Sequence, residues 1–250
     1  MMQLPRVTGR KDRIGCDQIA AGKNMLRLSR QESRRIAAAA QLSSGHNTAG
    51  TTSPLQILEQ VGAIQLDAMQ RVDKSHRLVC FARSGAIKGR EQVDKAFWTS
   101  SGDAVAYETW AHAVCLVPVS AWPVWRFRRA ATRNVAWAPP RRECDRLVGL
   151  VREMGPQTIR DLEAGQTKTS GWDWSQAKTA AEYLVWTGQL VCRARRGARR
   201  VYDLPERCIP AHLRESHIGK DEAIAILVRT AARAYGVASV SDIAAYFGLA

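Results

Sequence analysis

The amino-acid sequence predicts an α+β fold, mainly helical with small β-hairpins. Apolar residues recur at helical spacing behind Ser, Thr and Pro caps in several segments. Residues 105–117, rich in aromatic and β-branched residues, read instead as a strand or hairpin, and 189–195 with 199–204 can pair as strands around Gly197. With 250 residues, 46% of them apolar, the chain has enough material for real cores and is not disordered as a whole.

Taken in order, residues 1–24 read as a disordered basic tail with Arg6, Arg10, Lys11, Arg13 and Lys23, and the organised chain begins near Met25. Ser29-x-x-Glu32 is a capping box, opening a helix through Ile36 and the alanine run at 37–40. Residues 43–51 form a polar loop. Ser53-Pro54 supplies an N-cap and first-turn proline for a second helix that Gly62 ends. Residues 63–67 alternate like a short strand, and 74–83 are helical again. A helix bearing Trp122, Trp125 and Phe127 runs to about Arg133, and Pro139-Pro140 marks a boundary.

Beyond that boundary, residues 142–154 form an amphipathic helix that Gly155-Pro156 breaks. Thr158-x-x-Asp161 caps a short helix, Ser175 caps a third over 176–187, and 189–195 pairs with 199–204 around Gly197. Helix, helix, helix, hairpin is the order of a winged helix-turn-helix. Residues 221–235 and 242–247 repeat its first two helices. The sequence thus predicts tandem winged helix-turn-helix units: a first at 25–138, a second at 139–210, and the start of a third at 218–250 that lacks its closing helix.

Composition removes several function classes. The longest apolar stretches, 36–40 and 113–119, are far too short to span a membrane, and the N-terminus has no apolar signal core. The six cysteines are scattered without a Cys-x-x-Cys pair, which excludes a zinc ribbon or thioredoxin motif and fits reduced thiols in a cytoplasmic protein. The net charge of +14 points to an anionic partner, with nucleic acid first. Much of it lies in 120–200, where 16 Lys and Arg face 7 Asp and Glu. The hairpin there carries Arg193, Arg195, Arg196, Arg199 and Arg200, a wing suited to backbone phosphates or else simply a solvated basic hairpin. The helix before it offers only Gln176, Lys178, Thr179 and Glu182, a weak base-reading set.

Gln65-Leu66-Asp67 places an amide and a carboxylate at strand spacing i and i+2, on one face, able together to hold and polarise a water. Alone, such a triplet carries little weight. Among the histidines, His76 is read as near DNA or the site, or equally as a capping or core residue, and His112 beside Trp110 as a hydrogen-bonded structural residue more than a catalyst. Trp98, Trp122, Trp125 and Trp186 read as core, Trp172 and Trp174 as a staple ahead of a helix, and Cys80 and Cys115 as buried hydrophobes.

The order of short motifs adds specificity. Gly62-Ala-Ile-Gln-Leu-Asp67, Arg71, Ser75-His-Arg-Leu-Val79 and Arg83 come first. Tyr107-Glu-Thr-Trp-Ala-His-Ala113 with Leu116-Val-Pro118 follows, then Trp174-Ser-Gln-Ala-Lys178, Glu182-Tyr-Leu184, Gly188 and Val201-Tyr-Asp-Leu-Pro205. From about Leu28 to Leu249 this series resembles the bacterial AlkZ/AlkX (YcaQ-like) DNA glycosylases. The resemblance implies tandem winged-helix domains around a DNA-binding concavity, and a C-terminal β-barrel that this chain stops short of. It also implies excision of alkylated bases, including crosslinked N7-alkylpurines. Gln65-Leu66-Asp67 matches the branch with a Gln-hydrophobic-Asp catalytic motif.

On that resemblance Asp67 is the base and electrostatic stabiliser, and Gln65 orients the water. Arg71, His76, Arg77, Lys178 and the wing arginines are the DNA-contacting set, and double-stranded, damaged DNA is the partner of a monomer. The chemistry requires neither metal nor organic cofactor, and with no lysine next to the pair it reads as monofunctional hydrolysis. A non-catalytic winged-helix DNA-binding protein or regulator is the competing reading, and an RNA- or anionic-surface-binding protein the third.

Overall fold

The computed structural model describes residues 26–42, 52–67, 71–84, 87, 89–99, 101–164 and 175–249. The expected tail, the loop at 43–51, and the Trp172 and Trp174 staple lie outside the described residues.

Helix α1 (Arg30–Leu42) opens on the Ser29 box: the Ser29 backbone N–H and hydroxyl both donate to Glu32 Oε2 at 2.7 Å. Helix α2 (Pro54–Val61) has the Ser53–Gln56 box at its start. Gly62, at φ 71°, lets its N–H reach back to Leu58 O and turns the chain into strand β1 (Ile64–Gln65). Helices α3 (Ser75–Phe81) and α4 (Arg90–Phe97) follow. Strands β2 (Ala106–Trp110) and β3 (Val114–Pro118) form a hairpin, and β1 adds antiparallel to β3, with Gln65 opposite Cys115, in the order β1-β3-β2. A short helix, α5 (Arg126–Thr132), closes this part.

Helix α6 (Arg141–Met154) buries Cys144, Leu147 and Val151 at i, i+3 and i+7. Strand β4 (Gln157–Thr158) leads into α7 (Ile159–Leu162), whose capping box is Thr158–Asp161, and then α8 (Gln176–Trp186). Strands β5 (Val191–Arg196) and β6 (Arg199–Asp203) pair around Gly197, and β4 joins β6 to make a second antiparallel sheet. The β5–β6 register shifts between Cys192 and Ala194, an irregularity centred on Arg193. Helices α9 (Pro205–Cys208), α10 (Ala211–Glu215), α11 (Lys220–Tyr235) and α12 (Val240–Tyr246) complete the described chain. The architecture is therefore mixed: helices with two small antiparallel sheets.

Three apolar clusters meet at the β2–β3 hairpin. Ala106 and Leu116 pack with Ile57, Leu58 and Phe97. Tyr107, Cys115 and Val117 pack with Trp122, Trp125, Leu227 and Phe247. Trp110 and Val114 lean on the cluster of α6 and α8. The hairpin is thus sandwiched, and residues 205–249 share a core with the first sheet. Cys80, Cys115, Trp122, Trp125 and Trp186 are buried as expected, whereas Trp98 is half-buried. No single described helix is long and apolar enough to cross a membrane.

Candidate active site

Gln65 ends an edge strand, and the chain continues extended through Leu66, whose N–H donates to Val114 O at 2.7 Å. Ile64 is buried, Gln65 and Asp67 are exposed, and Leu66 packs inward, so amide and carboxylate share the solvent face. Ser75 at the start of α3 fixes this stretch. Its hydroxyl donates to Gln65 O at 2.6 Å and accepts from Asp67 N at 2.9 Å. One side chain thereby sets the backbone on both sides of Leu66.

Across from the strand, the turn between β2 and β3 presents His112. Its Nε2 lies 3.3 Å from Gln65 Oε1 and its Nδ1 2.9 Å from Tyr246 O. Arg128 ties that turn to the end of α12: it donates to Ala111 O at 3.1 Å, to Phe247 O at 2.9 Å, and to Gly248 O.

Leu66, Asp67, Lys74, His76 and Val114 from the first half line a cavity of about 500 Å³ together with Lys178, Glu182, Arg195, Arg199, Arg200 and Tyr202 from the second. Both halves of the chain therefore supply one cleft. Lys74 Nζ reaches Gly197 O at 3.3 Å, joining the start of α3 to the wing turn.

The structure divides the expected DNA-contacting residues. Arg71, Arg196 and Arg199 are exposed. Arg195 and Arg200 instead grip the buried Glu108 carboxylate at 2.6–2.8 Å, and Arg200 also pairs with Glu182. Burial alone would raise the Glu108 pKa, but the guanidiniums of Arg200 and Arg195 overcome it and hold the carboxyl down at about 2. Arg193 pairs with buried Asp203 at 2.7 Å, and Lys178 with Glu182. Arg77 binds Asp94 and Asp73, which raises its pKa, and His76 is buried against Asp94 at 2.9 Å with its ring edge-on to Trp98. Burial is the main force lowering the His76 pKa.

The expectation of a wing with five phosphate-facing arginines is thus narrowed by ion pairs that sequence reading missed. Glu108 lies 87 residues from Arg195, and no local spacing signals that pairing. The expectation that no lysine stands by the motif also changes in space: Lys74 and Lys178 line the same cavity as Asp67. Among the described residues, no group of three His, Cys, Asp or Glu side chains is placed to hold a metal ion.

This arrangement of helices with two small sheets has a solved counterpart. The fold is similar to that of the Streptomyces sahachiroi DNA glycosylase AlkZ, with a TM-score of 0.54 and 19% sequence identity over 86% of this chain. The chain spans 64% of the length of that protein. The family model for DNA glycosylase AlkZ-like proteins matches residues 58–250, a stretch that includes Gln65, Asp67, His112 and the wing. The chain belongs to the AlkZ-like DNA glycosylase family.

Proposed function

We propose that this protein is a DNA repair glycosylase that hydrolyses the N-glycosidic bond of N7-alkylated purines, interstrand-crosslinked ones included. The observation that carries the reading is the Gln65–Asp67 pair. Ser75 fixes its backbone on both sides of Leu66, and Asp67 lines a cleft that Lys74, Lys178 and Arg199 also line. An N7-alkylpurine carries a positive charge that already weakens its bond to the sugar, so little general-acid help is needed. The enzyme has to hold a water below C1′, take its proton, and stabilise an oxocarbenium-like state. A carboxylate at Asp67 does the last two, and the Gln65 amide orients the water.

The reaction proposed is monofunctional hydrolysis. The two lysines of the cleft are both engaged as hydrogen-bond donors, Lys74 to Gly197 O and Lys178 to Glu182. Borohydride treatment of a reaction on damaged DNA is expected to trap no covalent protein–DNA adduct, and a trapped adduct would contradict this part. We further propose that the two helical units with their hairpins are winged helices that grip double-stranded DNA as a monomer. Arg71, Arg196 and Arg199 are the first-choice phosphate contacts because they are exposed. Sequence-specific reading by α8 is disfavoured, since its Lys178 and Glu182 are tied to each other and Glu182 also to Arg200.

The test is incubation of purified protein with duplex DNA bearing N7-methylguanine. Free base and an equal amount of abasic site are expected. Selection of a preferred DNA sequence with no base release would favour a regulator instead.

A further inference from the structure

We infer that His112 is a positioning residue for the reaction, presenting the Gln65 carbonyl oxygen to the attacking water. The inference rests on the reading of Gln65 and Asp67 as the catalytic pair. His112 Nδ1 lies 2.9 Å from Tyr246 O, and a backbone carbonyl only accepts, so the ring proton sits on Nδ1. A neutral ring then has only a lone pair at Nε2, the atom 3.3 Å from the end of the Gln65 side chain. A lone pair is satisfied by an amide N–H. The half-turn of the amide that brings its N–H to His112 points Oε1 away from the histidine and toward the exposed face shared with Asp67. Gln65 then accepts one hydrogen of the water while Asp67 accepts the other.

The tautomer is set from the far end of the chain. Tyr246 O lies at the C-terminal end of α12, a site that favours donors, and Arg128 binds the next two carbonyls as well as Ala111 O beside His112. Residues 246–248 thereby act on Gln65 through one imidazole. His112 itself is exposed, so nothing buries it for packing alone.

Two measurements test this. Long-range proton–nitrogen correlation of the histidine rings in the full chain is expected to show His112 protonated on Nδ1 alone, with an Nε2 signal that moves in Gln65→Ala. A ring protonated on Nε2, or on both nitrogens, overturns the inference whether or not the protein releases bases. Single-turnover base release is the second. His112→Ala is expected to slow it about 10- to 100-fold with DNA affinity unchanged. His112→Gln, whose amide oxygen takes the Nε2 position, recovers most of that loss. His112→Asn, which keeps only the link to Tyr246, does not. Equal rates in the Gln and Asn variants, or Asn the faster, would show a purely structural histidine. Absence of base release by the unmodified protein would defeat the reading of the site itself, leaving the ring's tautomer to decide the arrangement of His112.

Discussion

Glu108 shows how a single residue can organise a site it does not catalyse in. Its side chain is fully buried, yet it is held ionised by two guanidiniums from the other half of the chain. Removing it strands Arg195 and leaves Arg200 to Glu182 alone, so Glu108→Ala is expected to cost about 3–5 kcal/mol, read as a melting temperature lower by roughly 10 °C. The pair also sets an acid limit. The folded carboxyl titrates at about 2 against an ordinary 4.5. Its contribution is therefore complete above the ordinary value and lost as pH falls toward 2. Denaturant titrations between pH 6 and 2 should show Glu108→Gln with a flatter decline than the unmodified protein. At this scale the sequence was legible where residues are contiguous: the strand spacing of Gln65-Leu66-Asp67 puts amide and carboxylate on the solvent side, as the structure has them. It was silent where partners are distant. His112 is hydrogen-bonded as expected, but its partners Gln65 and Tyr246 lie 47 and 134 residues away and no local spacing names them.

Elements carry the second layer of the argument. Most helices fell where caps and periodicity put them, because Ser29, Ser53, Thr158, Ser175 and Ser239 each satisfy first-turn amides locally. Those that escaped notice are short. Helix α4 buries only Val93 and Phe97 among charged residues, β4 has two residues and no period, and α9 and α10 are single turns introduced by prolines. Gly62 is the joint on which the strand bearing Gln65 depends. A Cβ there would stand 2.4 Å from Thr230 Cγ2 and 3.2 Å from Phe247 Cζ, on a backbone already at φ 71°. Gly62→Ala is therefore expected to lose more than about 2 kcal/mol of stability by chemical denaturation. Gly102→Ala separates the causes: φ is 74° but nothing lies within 4 Å, so only the backbone strain of about 1 kcal/mol remains. Comparable losses in both variants would show that the close approach of α11 to Gly62 is not felt.

For the whole molecule, the net charge of +14 resolves into two populations. Arg77, Arg193, Arg195 and Arg200 neutralise carboxylates and join elements, whereas Arg196 and Arg199 stand exposed beside the wing turn. Replacing Arg196 and Arg199 together with Ala is expected to weaken DNA binding and lower the salt-dependence slope by roughly 2, with the melting temperature unchanged. Arg200→Ala should instead lower the melting temperature. The opposite pattern would reassign the two groups. The cleft's position between the halves was not legible in the sequence, since it arises where β2 packs near β5 and α8, elements that the chain visits far apart. The central claim is that Asp67 activates the water that frees the base. Single-turnover release of N7-methylguanine from duplex DNA by the unmodified protein and by Asp67→Asn tests it most directly. The rate should fall by about 10²- to 10⁴-fold in the variant while DNA affinity holds; an undiminished rate would contradict the claim.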